Sequence, residues 1–240
     1  GNNNASIGYR SLSGNITGSA NVGIGYFSLN GNSSATSTVA VGYQAAIGTA
    51  AYNNQGGVYL GFNSGYSAAT DSDYNTLVGY QSGYGVTTGA RNVFLGNSTI
   101  AASYNQVTTG SNNISIGNDV ALSSATASNQ LNIGNLIYGT GLDGTGTTLS
   151  TGRVGIGTTT PWAQFSVNPN GVTGPAFAIG SSTATNFVVT NGGSVGIGTA
   201  APTQKLDVAG SINVSSGSAY MYGGSNVIVA STALSNYFFG

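Results

Sequence analysis

Along the first half of the chain, apolar positions two residues apart recur in one fixed setting. An aliphatic residue stands directly before a glycine at Ile7, Ile24, Val41, Leu60, Val78, Leu95, Ile116 and Ile133. Two residues earlier stand Ala5, Val22, Val39, Val58, Val93, Ile114 and Leu131, with Thr76 the one polar member of the series. The glycines that follow, Gly8 through Gly134, are separated by 17, 17, 19, 18, 17, 21 and 17 residues. A spacing of two puts both apolar positions on one face of a β-strand, and one strand repeated at a near-constant period predicts a body built by stacking. The expectation over residues 1–137 is therefore an all-β parallel β-roll or β-solenoid of about eight rungs, each burying its aliphatic pair. The density of glycine and β-branched residues speaks against helix.

The residue between the two aliphatics reads Ser6, Gly23, Ala40, Tyr59, Leu77, Phe94, Ser115 and Asn132. It faces the other way, and its apolar middle predicts a contact surface toward a neighbouring subunit. Just before each strand stand Asn4, Asn21, Thr38, Gly57, Asn75, Asn92, Asn113 and Gln130, mostly amides that can bond to the rung above and below. Four of these strands share a G-x-x-N lead-in, beginning at Gly1, Gly18, Gly89 and Gly110, a turn composition recurring at the period of the strands. Gly1 falls inside such a turn, so further rungs are expected upstream in a longer parent chain. The glycine closing each strand serves either a positive-φ corner or the close approach of another backbone. After it comes an aromatic residue in five rungs, Tyr9, Tyr26, Tyr43, Phe62 and Tyr80, replaced later by Asn97, Asn118 and Asn135. Aromatic faces beside amides suit sugar rings, which makes these five a candidate glycan-contact ladder. The plainer reading is a stacked column that covers the strand edge or fills a seam between subunits.

Only four Lys plus Arg and five Asp among 240 residues are charged, for a net charge of -1. Equivalent side chains on successive rungs sit about 4.8 Å apart, where a repeated charge costs roughly 0.9 kcal/mol per neighbouring pair even in water. Neutral ladders avoid that repulsion, so the charge deficit fits stacking better than it fits disorder. Four scattered cations form no stripe for phosphates, which argues against a nucleic-acid partner. No apolar run is long enough to insert in a membrane. A coil of about 17 residues encloses little, so association along its length is expected.

Residues 138–152 lose the period and read as a Gly/Thr-rich linker or cap. A second repeat then occupies 153–240: Val154-Gly155-Ile156-Gly157-Thr158, with Pro161, matches Val195-Gly196-Ile197-Gly198-Thr199, with Pro202. Each is followed by alternation, Phe165 to Val167 and Leu206 to Val208, giving two VGIGT-x-x-P β modules of strand, proline-set corner and strand. Phe177 to Ile179, Phe187 to Val189, Ile212 to Val214 and Val227 to Val229 are further strand candidates, and Trp162 reads as a packing residue beside Pro161.

The N-[VIL]-x-[IV]-G pattern of the first region resembles the head repeats of trimeric autotransporter adhesins, and Asn75 to Ser82 resembles N-T-x-x-G-Y-Q-S/A repeats of bacterial and phage fibre proteins. Val195 to Gly210 resembles the shaft segments that precede an endosialidase-type intramolecular chaperone in phage tail fibres. The resemblance implies a parallel β-roll wound as a homotrimer, an extracellular place on a cell surface or as a virion appendage, and a role in display and attachment to a cell-surface glycan or protein receptor.

Catalytic chemistry finds little to work with. Without His or Cys, triads based on either residue and ordinary zinc sites are excluded. Asp71 and Asp73 are the only closely spaced carboxylates, in a loop between rungs, and read as a solvated tip rather than a metal site or glycosidase pair. The expectation is a non-enzymatic protein with no catalytic, cofactor or metal residues. The alternatives are a tailspike-like polysaccharide depolymerase and a curli-like amyloid filament subunit.

Overall fold

The structure is a computed structural model that describes residues 1–48, 51–97, 107–167, 174–180, 184–213, 215, 219–222 and 225–229. Among them every regular element is a strand. Eight short strands, β1 (Ala5–Ile7), β2 (Val22–Ile24), β3 (Val39–Val41), β4 (Val58–Leu60), β5 (Thr76–Val78), β6 (Val93–Leu95), β7 (Ile114–Ile116) and β8 (Gln130–Ile133), pair in chain order and in parallel. Registers superpose equivalent residues, as in Ile7 on Ile24, Ile24 on Val41, Val41 on Leu60 and Leu60 on Val78. The result is a parallel β-solenoid of about seven turns, with the aliphatic columns directly overlying one another.

The amide ladder forms along the inside of the coil. Asn4, Asn21, Asn75, Asn92 and Asn113 each accept, through Oδ1, the backbone N–H of the equivalent residue one rung on, at 2.8 to 3.0 Å. Their Nδ2 groups donate to the carbonyls of Gly18, Ala35, Gly89, Gly110 and Ala127, at 2.7 to 3.2 Å. Each acceptor lies three residues before the next member of the column, which explains the G-x-x-N lead-in. The first position supplies the carbonyl, and at Gly18, Gly89 and Gly110 a Cβ would collide with the next rung's backbone. Gly57 breaks the column and is compensated in its own rung. The Tyr59 ring crosses the space its side chain would need. The Tyr59 hydroxyl then accepts from Asn54 Nδ2 at 3.1 Å and donates to the Ser72 carbonyl at 3.3 Å.

The two roles left open for the strand-closing glycine turn out to be held at once. From Gly8 to Gly117 it carries φ between 123° and 140°, and from Gly8 to Gly96 a Cβ would fall on the carbonyl of the glycine one rung on.

The faces of the strand are the reverse of the expectation. The middle position is the core: Ala40, Tyr59 and Leu77 are fully buried and cluster with Leu12, Leu29, Ala45 and Ala46. The aliphatic pair lies outside, partly exposed in most rungs, with Ile7 64% and Leu95 39% exposed. The reason is a volume constraint shared between strand and corner residues. Tyr59 is matched by Gly65 and Leu77 by Gly83, while the space beside Gly23 is taken by Leu12 of the preceding rung, so in these rungs a large side chain on one element meets a glycine on the other. A Cβ on Gly83 would stand 2.5 Å from Leu77 Cδ1, and one on Gly65 would strike the Tyr59 ring. Because either partner can carry the volume, the true core column is chemically mixed and reads as a surface.

The sheet does not stop at residue 137. Strand β9 (Ile137–Thr140) turns back antiparallel to β8, β10 (Arg153–Ile156) runs antiparallel to β9, and β11 (Phe165–Val167) runs parallel to β10. Of the stretch 138–152, read as a linker or cap, residues 138–140 belong to a strand of the same sheet, and the first compact unit spans residues 1–170. Trp162, expected to pack, is 81% exposed within it.

The second unit, residues 171–240, holds a four-stranded sheet of β12 (Phe177–Gly180), β13 (Thr185–Val189), β14 (Val195–Ile197) and β15 (Leu206–Val208), and a hairpin of β16 (Ala219–Tyr222) with β17 (Ser225–Val229). Its β13-β14-β15 order, antiparallel then parallel, repeats that of β9-β10-β11. Ile212 and Asn213 are not in a strand, and Val214 lies outside the described residues.

The volume matching is testable by a double-mutant cycle. Leu77→Ala alone is expected to cost about 2–5 kcal/mol, and Gly83→Ala alone to destabilise through its clash and its left-handed backbone. Together they reproduce the Ala40–Ala46 rung, so the double variant should be more stable than the two single losses predict. Strict additivity in chemical denaturation would refute the compensation.

Candidate binding surface

The five aromatic candidates are brought into one column on the outside of the solenoid. Successive rings stack with centroids 5.4 Å apart for Tyr9–Tyr26, 5.0 Å for Tyr26–Tyr43, 5.2 Å for Tyr43–Phe62 and 5.1 Å for Phe62–Tyr80, with interplanar angles of 6° to 18°. All five are exposed, by 39 to 61%. The column follows from the register, since each ring occupies the same place after the same positive-φ glycine. Offset stacking adds about 0.5–1.5 kcal/mol per pair beyond burial. It also changes what the surface offers, because the inner rings' faces are covered by one another. A sugar laid against the ladder would meet ring edges and hydroxyls.

Neighbouring groups widen the aromatic surface at its first rungs. Phe27 sits edge-on to Tyr9 and tilted against Tyr26, and the Arg10 guanidinium lies 5.7 Å from the Tyr9 centroid and 5.5 Å from that of Phe27. A second column, Tyr66 on Tyr84, stacks at 4.6 Å and 7°. Sequence reasoning passed over it, although both residues stand five after a ladder glycine. Serines three after those glycines were likewise passed over. Ser11, Ser28, Ser64 and Ser82 donate to the strand carbonyls of Gly23, Ala40, Leu77 and Phe94 at 2.8 to 3.1 Å, tying each corner to the next rung.

The carboxylates are engaged locally. Asp73 accepts the Gln55 backbone N–H at 2.8 Å while Asp71 is exposed at φ 72°, so Asp73 serves the stacking of its loop. Asp143 is held below the usual carboxylate range by the Thr151 hydroxyl and then its N–H, and Asp207 by the Thr203 N–H and then its hydroxyl. Among the described residues no three acidic, histidine or cysteine side chains gather as a metal site, and no helix is long and apolar enough to cross a membrane.

Two phenols are buried in the coil. Burial pushes Tyr59 up from 10.0 to about 12, with hydrogen bonding that involves the Asn75, Asn54 and Ser72 side chains partly offsetting it. Burial likewise raises Tyr52 well above its ordinary value, its hydroxyl donating to the Ala46 carbonyl.

In comparisons with known proteins the chain matches no family model, no curated protein and no solved structure. The class that the geometry defines is thus a parallel β-solenoid with an aromatic and an aliphatic ladder on its exterior.

The buried phenols set an alkaline limit. A raised phenol pKa stabilises the fold fully below the unfolded value of 10.0, and that contribution is lost as pH rises toward and through about 12. The unfolding temperature is expected to fall over that window, and less steeply in Tyr59→Phe. Equal slopes in both proteins would overturn the assignment.

Proposed function

We propose that the chain is a structural segment of an extracellular homotrimeric fibre or adhesin that displays and attaches, without catalysis. The observation that carries this reading is the unpartnered aliphatic face. Two adjacent columns, one from Ala5 to Leu131 and one from Ile7 to Ile133, run up the outside of seven steps of sheet. At about 4.8 Å per step the strip is roughly 34 Å long. Apolar strips of that extent are rare on isolated soluble proteins and mark association surfaces.

A second copy is the partner that fits. The strip carries no charge and only one hydroxyl, on Thr76, so it offers shape and periodicity rather than directional bonds. Another solenoid laid parallel and level presents ridges at the same spacing by construction, and rotational symmetry about an axis along the rungs keeps every copy equivalent. A stoichiometry of three and an extracellular place come from the resemblance of the repeats. Attachment would fall to the aromatic ladder, through ring edges and hydroxyls to a glycan or protein receptor. The engagement of Asp73, Asp143 and Asp207 by neighbouring backbone and hydroxyl groups favours a scaffold over a depolymerase.

The full chain is expected to sediment as a trimer in analytical ultracentrifugation. Leu60→Asp, which sets a carboxylate on the outer strip and leaves the interior untouched, should give a monomer with an unchanged β-rich circular dichroism spectrum. Burying unpaired charges at the seam costs several kcal/mol. A monomeric parent protein, or an intact trimer in Leu60→Asp, would sink the proposal.

A further inference from the structure

The geometry points to a covalent modification site at Tyr66 and Tyr84, where one-electron oxidation would join two adjacent rungs as an ortho,ortho-dityrosine. This inference stands independently of how the chain assembles. The two rings have the shortest centroid separation among the near-parallel pairs, 4.6 Å at 7°. The backbone holds them in place: the Ser67 N–H donates to the Tyr84 carbonyl at 3.0 Å and the Gly48 N–H to the Tyr66 carbonyl at 3.2 Å. Both side chains are half-buried, so the pair is ordered while an oxidant retains access to it.

The oxidant is a peroxide acting through a peroxidase. Each phenol gives up one electron and one proton, leaving a phenoxyl radical whose spin lies partly on the carbons beside the hydroxyl. Coupling of two such carbons forms the new C–C bond. The two displaced ring hydrogens move to the oxygens, which restores both phenols. Overall two tyrosines lose two hydrogens and one hydrogen peroxide becomes two waters. Coupling needs two radicals in contact within their lifetime, and a stacked pair supplies that contact without diffusion.

The rest of the chain favours the selectivity. There are no cysteines or histidines, one methionine and one tryptophan, so tyrosine is the main oxidisable side chain. The same chemistry is open to Tyr26 and Tyr43 at 5.0 Å, whereas Phe62, with no phenol, interrupts the outer ladder between Tyr43 and Tyr80. Tyr74, exposed and in none of the stacked pairs, is an internal control.

The test is treatment of the dilute full chain with a peroxidase and hydrogen peroxide, followed by peptide mapping with pepsin. The expected product is a peptide pair joining residues 66 and 84, two hydrogens lighter than the sum, in protein that still runs as single chains on a denaturing gel. Tyr66→Phe and Tyr84→Phe keep the stacked rings and should each abolish that product while leaving the fold intact. Loss of the product in denaturant would tie it to the stacked geometry. Cross-links formed chiefly between chains or through Tyr74, or a 66–84 yield unchanged by denaturant, would overturn the inference.

Discussion

A coil this small has room for about one large side chain per turn, and that limit governs the rest of the molecule. Where the strand contributes Tyr59 or Leu77, the corner contributes Gly65 or Gly83. Where the strand contributes Gly23, the corner of the preceding rung supplies Leu12. Much of the remaining interior is polar, and in the strand-entry column each asparagine finds partners on the next rung. A buried donor or acceptor left unpaired costs about 1–3 kcal/mol, so the asparagine column acts as a register key. Sliding one rung by a residue would orphan both ends of each side-chain bridge.

Much of the architecture was legible in the residues alone. Period, parallel register and the amide ladder all follow from columns that keep one chemical type, and the structure superposes those columns as aligned. The orientation of the strand was not legible, because a column of uniform aliphatic residues suits an outer strip as well as a core. Here the core position varies from glycine to tyrosine, since its volume is shared with a corner residue of its own or the preceding rung, and pairwise compensation leaves no trace in a single column. Strand Ile137–Thr140 was hidden for a related reason. It is an antiparallel return next to a Gly/Thr run, with no copy of itself to reveal it.

The aromatic column was found by its fixed offset from glycine, but its stacking alters what it can recognise. Rings that cover one another present edges, and only Phe27 and Arg10 broaden the surface near the first rungs. The Tyr66–Tyr84 pair obeys the same offset logic and was missed because its column is two rungs deep.

Among the described residues, the hydrogen bonds that organise the solenoid run within a rung or between nearest rungs, whether through backbone, asparagine or corner serine. Such a body has no element whose removal strands a distant partner. Whole 17-residue units can be duplicated or deleted by recombination within the gene, provided the join preserves the phase of the glycine. Length then becomes a heritable variable that can drift or be selected apart from fold, as a ruler is lengthened by adding identical divisions.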